Sequence, residues 1–425
     1  MSADLFFRDV RLFDPASGLD IQGSLLVRDG LIFDFGVAAG QPEGVEVVVA
    51  DGAILCPGLV DMRVALGEPG FEYRETIQSA AVAAAAGGIT TLAALPDTMP
   101  AIDDPALVRL LRARGEETGS LTILPYGAVT RGCRGEELAE LGLLREAGAV
   151  AFTDGGRAIG SSRLMRTALS YARGFGACII QHPEDPSLAR GGVATEGALA
   201  TRLGLPSIPA CAEALLVARD IRLAELTGGA VHFAHVTTAE ALALIRQAKE
   251  KEISVTCDTA PPYFDLNETA IGVFRTYAKL SPPLRAESDR LAVRTGLVDG
   301  TIDAIASDHQ PRDVDDKRLP FALASPGGSG LATLLGITLV QFHNGAITLA
   351  RAIELLTSRP AKLLGIKTGR IARGLPADLC LFHPEAIWQV VAGELPGKAQ
   401  NTPFDGRALE GRVLGTWKAG RRVFG

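Results

Sequence analysis

The stretch from residue 178 to residue 234 decides the fold that we predict for this chain. It opens with the apolar run CII (178–180), continues with apolar residues at helical spacing over 209–226, and closes with the apolar run AVHFA (230–234). A strand, a helix and a second strand in this order are typical of a βα unit in a parallel sheet.

The same alternation extends on both sides of this stretch. Short apolar runs recur at 90–95, 149–152 and 302–306, with helical patterns between them. Several such units over roughly 300 residues favour an α/β fold of the TIM type, a (β/α)8 barrel, which we place at 56–367. Strand-like runs without helices occupy 5–13, 24–28 and 45–49 and return at 377–382 and 412–417. We therefore predict a small β-sandwich domain built from both chain termini, 1–55 plus 368–425.

The composition of the chain argues against nucleic-acid binding and against a membrane span. The 425 residues are 47% hydrophobic and carry a net charge of −7, and we find no basic stripe that would bind nucleic acid. No stretch of about 18 uncharged apolar residues is present, so we expect no membrane span. The N-terminus lacks the basic and apolar regions of a signal peptide, and no CxxC pair is found among the six cysteines. We expect a cytoplasmic protein that forms a homo-oligomer of undefined size.

Functional side chains of a barrel lie where its strands end. The segment PGLVDMRVALGEPGFEY (57–73) resembles the opening barrel strand of class I dihydroorotases, in the amidohydrolase superfamily. The resemblance implies two metal-binding histidines, but Arg63 and Ala65 stand at those positions and neither offers a lone pair to a metal. The family's arginine for the substrate carboxylate falls at Gly67.

The resemblance continues through LPDTMP (95–100) and AFTDGG (151–156). It places Asp97 where the family has a substrate-binding asparagine, and Gly155 where it has the metal-bridging acid. The neighbouring Asp154 is an open alternative for that acid. Ser281 and Arg312 stand where the family has a substrate-binding asparagine and histidine.

Three of the implied ligand positions retain their residue types. They are His182, His235 and Asp308, and the counterpart of Asp308 in the family is also the general base. We expect Arg63 to reach toward Asp308 and to take the place of the metal's charge, since a guanidinium pairs readily with a carboxylate.

These replacements lead to a functional hypothesis with alternatives. The chain most resembles the inactive dihydroorotase-like homologues associated with aspartate carbamoyltransferase. The leading hypothesis is therefore a pseudoenzyme without a cofactor, a non-catalytic scaffold partner of that enzyme in pyrimidine biosynthesis. The alternative is an active hydrolase of cyclic amides, a dihydroorotase or a related amidase, with one zinc held by His182, His235 and either Asp154 or Asp308. A third reading is a small-molecule sensor.

Overall fold

The computed structural model describes residues 4–37, 39–40, 42–50 and 52–425. The first three residues, on which part of the signal-peptide expectation falls, and positions 38, 41 and 51 of the predicted terminal domain lie outside the described residues. The described strands are β1 (Leu5–Asp14), β2 (Leu19–Arg28), β3 (Leu31–Gly36), β4 (Glu46–Val49), β5 (Ile54–Pro57), β6 (Leu59–Val64), β7 (Ile89–Ala94), β8 (Thr122–Pro125), β9 (Gly127–Ala128), β10 (Phe152–Thr153), β11 (Cys178–Gln181), β12 (Ala194–Thr195), β13 (Ser207–Ile208), β14 (Ala230–Phe233), β15 (Val255–Thr259), β16 (Ala304–Ile305), β17 (Leu379–Gln389), β18 (Ala408–Lys418) and β19 (Arg421–Phe424).

The helices alternate with the central strands, as the sequence predicts. They are α1 (Ile77–Ala86), α2 (Pro105–Thr118), α3 (Leu141–Ala147), α4 (Ser162–Arg173), α5 (Pro186–Ala189), α6 (Ala198–Leu203), α7 (Cys211–Thr227), α8 (Ala239–Glu250), α9 (Pro261–Asp265), α10 (Glu287–Asp299), α11 (Val314–Arg318), α12 (Leu334–His343), α13 (Leu349–Leu356) and α14 (Ser358–Leu363). Short 3-10 turns occupy Arg131–Cys133, Glu268–Ile271, Thr276–Ala278, Leu331–Thr333 and Ala392–Glu394.

The terminal strands form one sheet that joins the two ends of the chain. Its order is β19-β18-β17-β5-β1-β2-β3, and β4 pairs with β1. Phe7 of β1 and Trp417 of β18 meet edge to face in its core, with ring centroids 4.8 Å apart. The predicted β unit of both termini is confirmed.

The central strands form the predicted barrel. Strands β6, β7, β8 with β9, β10, β11, β14, β15 and β16 make eight positions in the described chain, because β8 and β9 are two halves of one interrupted strand around Tyr126. The first and last positions meet where Val64 bridges His309 and the amide of Ala65 donates to the carbonyl of His309 at 2.9 Å. The fold class is thus confirmed, while the exact domain boundaries stay a prediction.

Local sequence explains where the elements end. The helix predicted at 209–226 is α7, and it stops at Gly228, whose φ of 65° is the left-handed conformation that glycine adopts at helix ends. The apolar run 302–306 yields only the two-residue strand β16, although the amides of Asp303 and Ala306 on either side of it still donate to carbonyls of β15 at 2.9 and 3.0 Å. No helix in the described part of the chain combines the length and apolarity needed to cross a bilayer.

Candidate active site

Four predicted site residues converge at the carboxyl ends of the barrel strands. Arg63 lies in β6, and His182, His235 and Asp308 follow β11, β14 and β16. His235 and Asp308 have φ values of 39° and 49°, a left-handed backbone that costs free energy in residues with a side chain. The amide of His235 is held in this conformation by Asp258, whose Oδ1 accepts it at 2.6 Å. Such strain concentrates at functional sites.

Arg63 fills the centre of this group. Its Nε donates to Oδ1 of Asp308 at 2.8 Å, and a terminal nitrogen donates to the carbonyl of Gly155 at 3.1 Å. The side chains of Arg63 and Asp308 are only 2% and 9% exposed. The expected contact between Arg63 and Asp308 is confirmed. The other terminal nitrogen of Arg63 is buried without a hydrogen-bond partner among the described residues.

The two histidines extend a hydrogen-bonded chain from Asp308. Nδ1 of His235 lies 3.0 Å from Oδ2 of Asp308, and Nε2 of His235 lies 2.7 Å from Nδ1 of His182. A carboxylate only accepts, so His235 donates from Nδ1 and its Nε2 accepts from His182. Nε2 of His182 is therefore the end of the chain, and it lies 3.6 Å from Oε2 of Glu184.

The electrostatics favour a neutral imidazole at His235 and a charged ion pair between Arg63 and Asp308. Burial lowers the pKa of His235 to about 4, and the neighbouring charge of Arg63 acts in the same direction. Burial alone raises the pKa of Asp308, but His235 and Arg63 outweigh it and bring that pKa down to about 2. At neutral pH an ionised Asp308 thus pairs with Arg63 beside a neutral His235.

The spacing and charge of these residues decide whether they can hold a zinc ion. Two nitrogens bound to one tetrahedral zinc lie roughly 3.3 Å apart, whereas those of His182 and His235 are bonded to each other at 2.7 Å. The guanidinium of Arg63 also occupies the space beside Asp308 and repels a second cation. Within the described residues, no group of three or more His, Cys, Asp or Glu is placed to hold a metal. In this arrangement the residues do not fit zinc.

The open alternative for the bridging acid is answered by the contacts of Asp154. Its oxygens accept the amides of Val129 and Thr130 at 3.0 and 2.9 Å, and the hydroxyl of Thr130 at 2.5 Å. Asp154 therefore ties the end of β9 to the end of β10. Among the described residues these oxygens form no hydrogen bond with His182 or His235, so this arrangement gives no support to the open alternative that Asp154 replaces the bridging acid.

Gly155 and Gly67 leave no room for the side chains that the family resemblance implies. A Cβ on Gly155, at φ 69°, would lie 2.6 Å from Cγ of Asp97, and a Cβ on Gly67, at φ 73°, would lie 2.6 Å from the carbonyl of Glu75. Gly155 contributes its carbonyl to Arg63 instead. Asp97 is exposed and accepts the amide of Gly156 at 3.4 Å, next to this loop.

The remaining predicted positions lie around the cluster. Arg312 is 3.5 Å from Oε1 of Gln310, and Nε2 of Gln310 donates to Asp308 at 3.2 Å. Ser281 precedes Pro282, whose carbonyl accepts from Tyr263. The ring of Tyr263 lies 6.3 Å from that of His235. Ser281 is therefore connected to His235 only indirectly, through Pro282 and Tyr263.

Sequence reasoning missed a charged layer next to His182. Arg285 is 2% exposed, lies 3.8 Å from Glu184 and 3.9 Å from Glu213, and donates to the hydroxyl of Thr237 at 2.9 Å. Glu213 is fully buried on α7, and burial raises its pKa. An acid on the apolar face of the predicted helix 209–226 was the signal that could have found this layer.

Comparison with known proteins identifies what the chain is similar to. A family model described as dihydro-orotase-like matches residues 52–241. A protein of Pelobacter propionicus named dihydroorotase is 45% identical over 421 residues, covering 99% of both chains. One of Anaeromyxobacter with the same name is 44% identical over 425 residues, covering 100% of this chain and 98% of its own.

Solved structures show the same fold. An L-hydantoinase (dihydropyrimidinase) from Arthrobacter aurescens superposes with a TM-score of 0.87 at 24% identity, covering 99% of this chain and 96% of its own. A dihydropyrimidinase from Brevibacillus agri gives 0.83 at 22% identity, covering 99% and 95%.

The prediction of a catalytically inactive scaffold is wrong, because the end-to-end relatives are named dihydroorotases. It counted Arg63, Ala65 and Gly155 only as lost ligands. In the structure Arg63 and Gly155 are instead bonded to each other beside Asp308 and the histidine chain. Association with aspartate carbamoyltransferase, a homo-oligomer and a cytoplasmic location stay predictions.

Proposed function

Because this chain belongs to the dihydroorotase family, we propose that it hydrolyses a C–N bond in the ring of a cyclic amide, with dihydroorotate as the substrate. The observation that carries the proposal is the 45% identity to a protein named dihydroorotase over 99% of both chains. Hydrolysis adds water to the ring amide. The carbonyl carbon becomes a carboxylate, the C–N bond breaks, and the ring nitrogen takes a proton.

The buried side chains of His182, His235, Asp308 and Arg63 supply groups that suit this reaction. Nε2 of His182 ends the hydrogen-bonded chain at a pocket that His182 itself lines, so it can orient a water by accepting its hydrogen bond. Asp308 fixes the direction of that chain through His235. We assign no step to a metal, since the residues do not fit one.

Arg63 adds a permanent positive charge to these groups. One of its terminal nitrogens is buried and has no partner in the described part of the chain. The effect of a preorganised cation is larger in a buried site than in water. Because Arg63 is only 2% exposed and does not line the pocket at His182, we expect its charge to act on the reaction through Asp308 and not by contact with the substrate.

The test is ring opening of dihydroorotate by the purified chain. We expect measurable turnover, and a loss of roughly 100-fold or more in Asp308→Asn, since a group that organises proton transfer contributes typically 10²–10⁴-fold. Asp315→Asn changes an exposed carboxylate on α11 and serves as the matched control. A folded preparation that opens no ring, or an Asp308→Asn variant with full turnover, would overturn the proposal.

A further inference from the structure

A second group of arginines lies beside the histidine chain. A pocket of about 340 Å³ borders His182 and Glu184, and three arginines from three different loops line it. They are Arg134, Arg157 and Arg190, and we call the space between them the basic pocket. Its volume is within the range of pockets that hold small molecules.

We propose that the basic pocket binds the carboxylate groups of the ligand, both that of the cyclic substrate and those of the dicarboxylic acid that ring opening produces. The identity of the ring rests on the proposed function. The charge of the ligand rests on the arginines themselves.

The arginines of the basic pocket have no ion-pair partner among the described residues. All three are exposed, and none forms an ion pair with any described residue. Arg131, three positions before Arg134, differs in that it lies 3.7 Å from Glu137. The chain as a whole has a net charge of −7, so the local excess of positive charge in the basic pocket is opposite in sign to the charge of the whole protein.

Glu184 is the one carboxylate among the described residues that lines the basic pocket, and it is already engaged. Glu184 is 7% exposed, its Oε2 lies 3.6 Å from His182, and its Oε1 lies 3.8 Å from Arg285. Asp185, next to it, turns its Oδ1 to the amides of Ser187 and Leu188 at the start of α5. The positive charge of the basic pocket is therefore available to a ligand.

Backbone geometry keeps the basic pocket open. Gly135 and Gly156 line it, and an added Cβ would meet nothing within 4 Å at Gly135 and only an oxygen of Asp97, at 3.9 Å, at Gly156. Arg157 also approaches the carbonyl of Cys133 at 3.5 Å, which links its loop to that of Arg134. The guanidinium fork matches a carboxylate in two-point contacts, which a lysine cannot do.

Direct binding tests this proposal without relying on turnover. The ligands are N-carbamoylaspartate, the dicarboxylic acid formed from dihydroorotate, and inorganic phosphate as a plain anion, each titrated calorimetrically. We expect Arg157→Gln and Arg190→Gln each to weaken binding of N-carbamoylaspartate about tenfold, which corresponds to about 1.4 kcal/mol, because each variant loses a charged donor to a carboxylate. Arg166→Gln removes an exposed arginine of α4 that does not line the basic pocket and is the matched control.

Two results would overturn the proposal. One is wild-type affinity for N-carbamoylaspartate in Arg157→Gln and Arg190→Gln. The other is phosphate binding as tight as that of N-carbamoylaspartate, which would make the basic pocket a general anion site. A chain that binds N-carbamoylaspartate through these arginines but opens no ring contradicts the proposed function and leaves the basic pocket intact. Ring opening by the wild type, with unchanged binding of N-carbamoylaspartate in the arginine variants, supports the proposed function and contradicts the role of the basic pocket.

Discussion

The mouth of the barrel contains arginines in two contrasting settings. Arg63 is 2% exposed and bonded to Asp308 at 2.8 Å. Arg134, Arg157 and Arg190, in the adjacent basic pocket, are exposed and form no ion pair with the described residues. An unpaired charge costs folding free energy when it is buried. Arg63 therefore requires the carboxylate of Asp308, whereas the exposed arginines of the basic pocket are stable without a paired acid. Arginine thus forms a buried ion pair within the site at Arg63, whereas the three arginines of the basic pocket are the groups that we propose bind a ligand.

The largest effect on the free energy of unfolding is expected when the buried ion pair of Arg63 and Asp308 is broken. Arg63→Met leaves Asp308 buried without its cation, and removing one partner of a buried pair costs about 3–5 kcal/mol in the free energy of unfolding. Urea unfolding measures this loss. Arg114→Met, which removes an exposed partner of Glu117, is the control and should cost less than about 1 kcal/mol. Equal losses in the two variants would mean that burial does not distinguish Arg63.

A buried cation that has no carboxylate at hydrogen-bonding distance within the described part of the chain sharpens the comparison. The ammonium of Lys317 is buried and donates to the carbonyls of Thr276 and Lys279 at 3.1 and 3.3 Å. Burial, followed by the charges of Arg312 and Lys279, lowers the pKa of Lys317 to about 7.

The lowered pKa of Lys317 predicts a pH dependence of stability. In the unfolded chain its pKa is about 10.4, so between pH 7 and 10 the unfolded state binds more protons and stability rises with pH. Lys317→Met should remove up to about 1.4 kcal/mol per pH unit from that slope. Unfolding curves at several pH values measure it, with the exposed Lys367→Met as control. A slope that Lys317→Met leaves unchanged would contradict this pKa.

A smaller effect is expected at the glycine that supports Arg63. Gly155→Ala places a side chain at φ 69° and against Asp97, which should cost about 1–2 kcal/mol. Gly156→Ala is the matched control, because its Cβ would meet only an oxygen 3.9 Å away. Thermal unfolding compares the two. A Gly155→Ala variant as stable as Gly156→Ala would show that the loop adapts freely.

Much of the fold follows from the sequence because apolar runs and helical spacing are local signals. Such patterns predict that a strand exists but not its length, so β16 is shorter than the run that contains it. The convergence of His182, His235 and Asp308 was predictable because all three follow barrel strands. The contacts of Asp154 were not, since adjacent residues on a loop can point in different directions.

The basic pocket and the charged layer could not be predicted from sequence in the same way. Arg134, Arg157 and Arg190 lie on three loops and share no motif, so only the folded chain brings them together. Arg285 meets Glu213 across 72 positions of the chain for the same reason. The prediction of inactivity was wrong because a sequence shows which ligands are replaced but not how the replacements contact one another.

The most direct test is the ring opening of dihydroorotate by the purified wild-type chain, with Asp308→Asn and Asp315→Asn assayed in parallel. We expect turnover by the wild type and by Asp315→Asn, and a roughly 100-fold or greater loss in Asp308→Asn. A correctly folded wild-type chain that leaves dihydroorotate closed would contradict the proposed hydrolase.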